Sequence, residues 1–283
     1  MRVKVAESAG FCFGVLRATE MAFKAASGND GNVYSLGPII HNPQVVESLK
    51  KMGVRMVLTP NALPQRAKVI LRSHGVEKND VEILRSKGCA LIEATCPFVK
   101  KVHKAVQELS KRCDLIVVVG DADHPEIKAT LSFAPGRAVA ITGPDSVHGL
   151  PKVRAVGVVA QTTLSSKILD AVVERCRQRY EVVEAVNTIC SATSIRQKEA
   201  VDLAGKVDAM VVVGGFDSAN TKRLAGLCGE ILPKSTFHVE KRGDLPMNRL
   251  SHFNVVGVTA GASTPSRVIE EVVQALVRQG FRL

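Results

Sequence analysis

Cys12, Cys96 and Cys190 share a local setting. Each is followed at once by a stretch with helical spacing: "CFGVLRATEMAFKAAS", "CPFVKKVHKAVQELSKR" and "CSATSIRQKEAVDLAG". A thiol at a helix start faces the positive end of the helix dipole and unpaired N–H groups, which favour the thiolate, the form that ligates metal. Pro97 suits the first helical turn, where its missing N–H costs nothing. Three soft thiolates suit an iron–sulfur cluster or zinc. A 4Fe–4S cluster normally takes four cysteines, so three would leave one iron open as a Lewis acid. Zinc with three cysteines and a water is the rival reading, and three buried apolar cysteines the plain one. The chain has no CxxC, which argues against zinc ribbons and thioredoxin-type pairs. Cys89, Cys113, Cys176 and Cys228 read as small core hydrophobes, one of them a fourth ligand at most.

What would bring three distant thiols together is a repeat. Cys96 to Cys190, Asp114 to Asp208 and Gly120 to Gly214 are all 94 positions apart, and a looser copy begins at Cys12. Each copy reads cysteine, helix, apolar strand, glycine turn, polar residue, helix, then a further strand with a polar end. Runs such as "LIVVVG" and "AMVVVGG" read as buried parallel strands alternating with helices, hence an α/β fold. The repeat divides the chain at 13–95, 96–189 and 190–283, with 1–12 packing at the centre or onto it.

In open parallel sheets, ligands bind beyond the carboxyl ends of the strands. His41, His74, His124, Ser218, Asn220, Ser263 and the Thr162-Thr163 pair all fall at such ends or in the turns just after. Facing a pseudo-threefold axis, they would line one cavity with imidazolium groups, hydroxyls and an amide, a set suited to a phosphate or diphosphate. Ser218 and Asn220 stand at a helix start, an anion site or merely an N-cap. Glu126, in "HPE", is the one carboxylate the repeat places in this ring, and near a cluster-bound hydroxyl it could act as a general acid. Its plain role is a first-turn acid complementing the helix dipole. Asp121 and Asp123 read as solvated, and His103, His148, His238 and His252 as structural or exposed. Without a Walker A loop or GxGxxG, no nucleotide cofactor is indicated.

The chain of 283 residues carries a formal net charge of +11. Such a surface attracts nucleic acid, phosphorylated metabolites or acidic proteins. With no Trp, two Tyr and no arginine-rich block, stacking on bases is poorly supported and no nucleic-acid partner is expected. No apolar run approaches membrane-spanning length and the N-terminus lacks a signal-peptide core, so a cytoplasmic protein without a membrane partner is expected.

The motifs "GFCFGV", "HNPQVV", "SHGV", "ATCPFVKKVH", "DHPE", "QTTLS", "DSANTKRL" and "TAGAS" together resemble the 4-hydroxy-3-methylbut-2-enyl diphosphate reductase (LytB/IspH) family along essentially the whole chain. The resemblance implies a trefoil of three α/β domains around a central 4Fe–4S cluster held by Cys12, Cys96 and Cys190. It implies that His41, His74, His124, Ser218, Asn220 and Ser263 hold the substrate diphosphate, that Glu126 relays protons, and that Thr162 lies near the reacting alcohol. It further implies an electron donor of the ferredoxin or flavodoxin type; such carriers are acidic, which suits the +11 charge. Ala219, Asp217 and the pair Lys128-Ala129 depart from the family pattern. Two other readings compete: a quinolinate synthase-like three-cysteine dehydratase, which needs no electron donor, and a non-catalytic basic RNA-binding or cluster-sensing protein.

Overall fold

The computed structural model describes residues 1–28 and 32–282. The chain separates into two compact units, one of residues 1–13, 41–43 and 191–283, the other of residues 14–40 and 44–190.

The larger unit holds two four-stranded parallel sheets. The chain enters it, after β1 (Arg2–Val5), through α1 (Phe13–Ser27). The first sheet uses β2 (Val33–Leu36), β3 (Arg55–Val57), β4 (Lys68–Leu71) and β5 (Ala90–Glu93), with α2 (Pro43–Lys51) and α3 (Lys78–Ser86) between them. The second uses β6 (Leu115–Val119), β7 (Ala138–Ile141), β8 (Ala155–Ala160) and β9 (Val182–Ala185), with α4 (Pro97–Leu109), α5 (Pro125–Leu131) and α6 (Ser166–Arg177). The smaller unit has α7 (Ser191–Ala204), β10 (Ala209–Val213), α8 (Ala219–Ile231), β11 (Thr236–Val239), α9 (Met247–Leu250), β12 (Val255–Ala260) and α10 (Ser266–Arg278).

Spatial order repeats from sheet to sheet: β3-β2-β4-β5, then β7-β6-β8-β9, then β11-β10-β12-β1. The third sheet takes its fourth strand from the N-terminus, with Arg2 beside Val255 and Val5 beside Val258. The segment 1–12 therefore contributes an edge strand to the sheet of the last repeat. β1 stands where β5 and β9 stand, so every cysteine of the trio follows a fourth strand.

Both faces of the central strands are covered, which is why they read as unbroken apolar runs. In the second sheet Val117, Val119 and Val158 pack with Leu169, Val172 and Cys176 of α6. Ile116, Val118 and Val159 pack on the other side with Val102, Val106 and Leu109 of α4. Each such side chain contributes about 1.5–3 kcal/mol by leaving water. Cys113 and Cys176 lie in these cores, Cys228 lies in a core of the third sheet, and Cys89 is partly buried, the packing role expected of them. Burial pushes the Cys228 thiol up to about 12.

Candidate active site

In each sheet the chain reverses direction between the two central strands, which opens a crevice at their carboxyl ends. Those paired ends are β2 and β4, β6 and β8, and β10 and β12. The residues after them include His41 and His74, His124 and Thr162, Ser218 and Ser263.

In the larger unit the crevice between β6 and β8 holds a carboxylate. Glu126 lies in the first turn of α5 with 2% of its surface exposed. Its Oε1 accepts the Thr162 backbone N–H at 2.6 Å and its Oε2 the Thr162 hydroxyl at 2.8 Å. Burial raises its pKa to about 7 against the opposing pull of these two bonds. His124 caps α5, its Nδ1 accepting the Glu126 N–H at 3.1 Å. An Nδ1 that accepts cannot carry a proton, so this imidazole is neutral and presents Nε2–H as a donor. The His74 ring meets the His124 ring edge-on, centroids 5.3 Å apart. Asp121 and Asp123 are exposed on the same turn, as expected, and Lys128 pairs with Asp123 at 3.5 Å. Gln161, which sequence reasoning passed over, is buried beside them and accepts the Asp121 N–H at 3.2 Å.

In the smaller unit the crevice between β10 and β12 holds hydroxyls and an amide. Ser218 is the N-cap of α8, accepting the Thr221 N–H at 3.3 Å. Ser263 Oγ is placed to donate either to the His41 carbonyl at 3.3 Å or to Ser218 Oγ at 3.4 Å. Gly215 lets the His41 carbonyl approach: a Cβ there would stand 2.9 Å from that oxygen. Asn220 is 5% exposed, and neither atom of its amide has a partner among the described residues. An unanswered buried amide costs about 1–3 kcal/mol, and a ligand at the α8 N-terminus would recover it.

The cysteines follow one backbone rule. The N–H of Cys96 donates to the Ser73 carbonyl at 2.9 Å, that of Cys190 to Thr162 at 3.0 Å and that of Cys12 to Ala262 at 3.2 Å. Each acceptor lies two residues past the end of a third strand, β4, β8 or β12. The acceptors are thus next to His74, at Thr162 and next to Ser263. Cys96 is the N-cap of α4 yet makes no side-chain cap hydrogen bond. Gly14 packs so closely on the Cys96 sulfur that a Cβ there would overlap it.

A family model described as LytB protein matches residues 3–277. The chain belongs to the LytB family. A LytB relative from Trichlorobacter lovleyi, called 4-hydroxy-3-methylbut-2-enyl diphosphate reductase, is 48% identical over 276 residues, covering 98% of each chain. One of the same name from Geobacter sulfurreducens is 46% identical over 98% of this chain and 97% of its own. A solved structure described as (E)-4-hydroxy-3-methyl-but-2-enyl diphosphate reductase, the terminal enzyme of the non-mevalonate pathway, superposes with a TM-score of 0.71 at 39% identity. It covers 98% of this chain and 100% of its own. The E-1-hydroxy-2-methyl-but-2-enyl-4-diphosphate reductase of Plasmodium falciparum superposes with a TM-score of 0.93 at 29% identity, over 99% of this chain and 89% of its own.

LytB proteins are iron–sulfur enzymes of isoprenoid biosynthesis. The donor set of this LytB chain fits such a group: three thiols in one repeated backbone setting, with close approach to one of them secured by Gly14. Outside the crevices, His103 is buried, stacked on Phe133 with centroids 4.2 Å apart, and desolvation lowers its pKa to about 4. His238 Nε2 is 2.9 Å from the Gly214 carbonyl, and His148 and His252 are exposed.

Proposed function

We propose that this chain removes the hydroxyl of 4-hydroxy-3-methylbut-2-enyl diphosphate by two-electron reduction, giving isopentenyl and dimethylallyl diphosphates and water. The observation that supports this reading most is the Glu126–Thr162 pair, a buried carboxyl near its midpoint at neutral pH and bonded to a hydroxyl at a sheet's crevice. Names of the LytB relatives point to the same reaction.

In this reading Cys12, Cys96 and Cys190 hold a 4Fe–4S cluster. When bound, the cluster supplies the two electrons and, at the iron lacking a cysteine, Lewis acidity. The protein's own groups do the rest. His41, His74, His124, Ser218, Asn220 and Ser263 grip the diphosphate, the neutral His124 as an N–H donor and Asn220 through its unanswered amide. Glu126 stores the proton. Because the Thr162 N–H occupies Oε1, the proton of the neutral acid sits on Oε2 and faces the Thr162 hydroxyl. Thr162 can then pass a proton to the departing oxygen while receiving one from Glu126. The grip fixes the alcohol end of the substrate relative to that hydroxyl.

A ferredoxin- or flavodoxin-type protein delivers the electrons in the cytoplasm, its acidic surface matched by the net charge of +11. Among the described residues no helix is long and apolar enough to cross a membrane. The three repeats, 13–95, 96–189 and 190–283, act as three domains, with 1–12 completing the last.

The deciding experiment is anaerobic purification with iron and sulfide quantitation, followed by a reduction assay on the diphosphate alcohol with a chemical electron donor. Four irons, four sulfides and both product isomers are expected for a 4Fe–4S reductase. Stoichiometric zinc without sulfide, or no consumption of reductant, would sink the proposal.

A further inference from the structure

The paths from fourth strand to cysteine differ in length. β5 ends three residues before Cys96, β9 five before Cys190 and β1 seven before Cys12. A longer irregular path has more conformational freedom to lose, so its end is harder to fix.

Two arginines act on these paths in the same way. Arg196 of α7, only 4% exposed, lays its guanidinium across the loop before Cys12. Nε donates to the Ser8 carbonyl at 2.9 Å and Nη2 to the Gly10 carbonyl at 2.9 Å, while Nη1 bonds back to Ala192 at 3.2 Å. One turn further on, Glu199 accepts the backbone N–H of Glu7 at 2.5 Å and of Ser8 at 2.9 Å, and also the Ser8 hydroxyl. In the larger unit Arg17 of α1 donates Nη2 to the Glu93 carbonyl at 3.1 Å and Nη1 to the Thr95 carbonyl at 3.2 Å, just before Cys96.

Both guanidiniums therefore bridge alternate carbonyls, 8 and 10 or 93 and 95, at the approach to a cysteine. Their sources correspond too. Arg17 lies five residues after Cys12, and Arg196 six after Cys190, each on the helix its cysteine begins. Before Cys190 the Thr188 hydroxyl takes this part, accepting the Ala160 N–H at 2.9 Å and donating to the Ala160 carbonyl at 2.6 Å. A planar fork on two alternate carbonyls sets the direction of the peptide chain between them, which a point charge cannot do. Burying a guanidinium for a surface loop alone would be poor compensation for its desolvation.

We propose that Arg17 and Arg196, the latter with Glu199, are positioning residues that fix Cys96 and Cys12 respectively for ligation. The inference rests on the cluster reading for its purpose, whereas the clamp itself can be tested without any cluster.

The test uses the full chain stripped of metal and exposed to iodoacetamide, with alkylation followed at each cysteine by mass spectrometry. Arg196→Met should speed alkylation of Cys12 and leave Cys96 unchanged, and Arg17→Met should do the reverse, each by about tenfold. Arg17→Lys and Arg196→Lys should fall between, because one ammonium cannot hold both carbonyls. On the reconstituted protein both methionine variants should lose iron to a chelator about tenfold faster than the parent. Should Arg196→Met not fold, Arg196→Lys and Glu199→Gln carry the same test. Equal acceleration at every cysteine, buried Cys176 included, would show general loosening and overturn the proposal, as would no change at the matched cysteine. Matched acceleration in a protein whose parent binds no iron would keep the clamp and refute the cluster.

Discussion

The crevice between β6 and β8 and the crevice between β10 and β12 occupy the same place in sheets of the same strand order, yet their polar groups are in opposite states. In the first, both oxygens of Glu126 are answered by Thr162, and desolvation still raises its pKa to about 7. In the second, the Asn220 amide is buried with both atoms unanswered among the described residues. One scaffold position thus holds a carboxyl whose pKa burial raises, while its counterpart holds an amide with unused hydrogen-bonding capacity, which the proposed function assigns to the substrate. The lesson is that strand-end position selects where chemistry occurs, and the local supply of partners selects which chemistry.

The sharpest way to break this contrast is to substitute each side and separate turnover from binding. Glu126→Gln keeps the shape and removes the transferable proton, so kcat should fall by about 10²–10⁴ with little change in KM. Steady-state kinetics with a chemical reductant would decide it, and unchanged turnover would remove Glu126 from the mechanism. Asn220→Ala should do the opposite, raising KM by about 10- to 100-fold while kcat holds.

The next effect is a dependence on pH. If Glu126 must be protonated to act, kcat should decline about tenfold per pH unit above a midpoint near 7. Stability carries the same sign. The folded state holds a proton that the unfolded carboxyl releases at its ordinary value of 4.5, so between 4.5 and about 7 the unfolded chain binds fewer protons. Stability contributed at this site therefore falls as pH rises through that window and levels off above it. Urea unfolding of the parent against Glu126→Gln, pH by pH, would expose the difference, with the variant lacking that decline.

The smallest effect is expected away from both crevices. Cys228→Ala should cost on the order of 1 kcal/mol of stability and leave iron content and turnover unchanged. Its thiol, pushed up to about 12 by burial, should resist alkylation at neutral pH. A loss of iron in this variant would mean that ligands lie outside the repeated trio.

Periodicity and offset revealed the fold well, because parallel strands buried on both faces are plain apolar runs and each repeat copies the one before. They also located the strand ends where His124, Thr162, Ser218 and Ser263 stand, since turn position follows from strand position. The role of β1 was missed, although its signal was present: "RVKV", "ALIE" and "VVEA" are short runs ahead of Cys12, Cys96 and Cys190. Their spacing to the cysteine varies, and a search for fixed offsets passes over variable ones. Arg17 and Arg196 were illegible for a different reason. They act on backbone carbonyls, which every residue has, so no partner residue type marks them. The neutral state of His124 likewise depends on one N–H, that of Glu126, meeting one ring nitrogen, which composition does not encode.

The pairing of β1 with β12 sets an order of events at birth. Val255 is made some 250 residues after its neighbour Arg2. The first two sheets draw only on residues between 33 and 185 and can close during translation. The third stays open until the last strand emerges, and with it the loop that carries Cys12. A nascent chain therefore sets the approaches to Cys96 and Cys190 well before that to Cys12, so the group proposed to bind all three would be loaded only after β12 has been made.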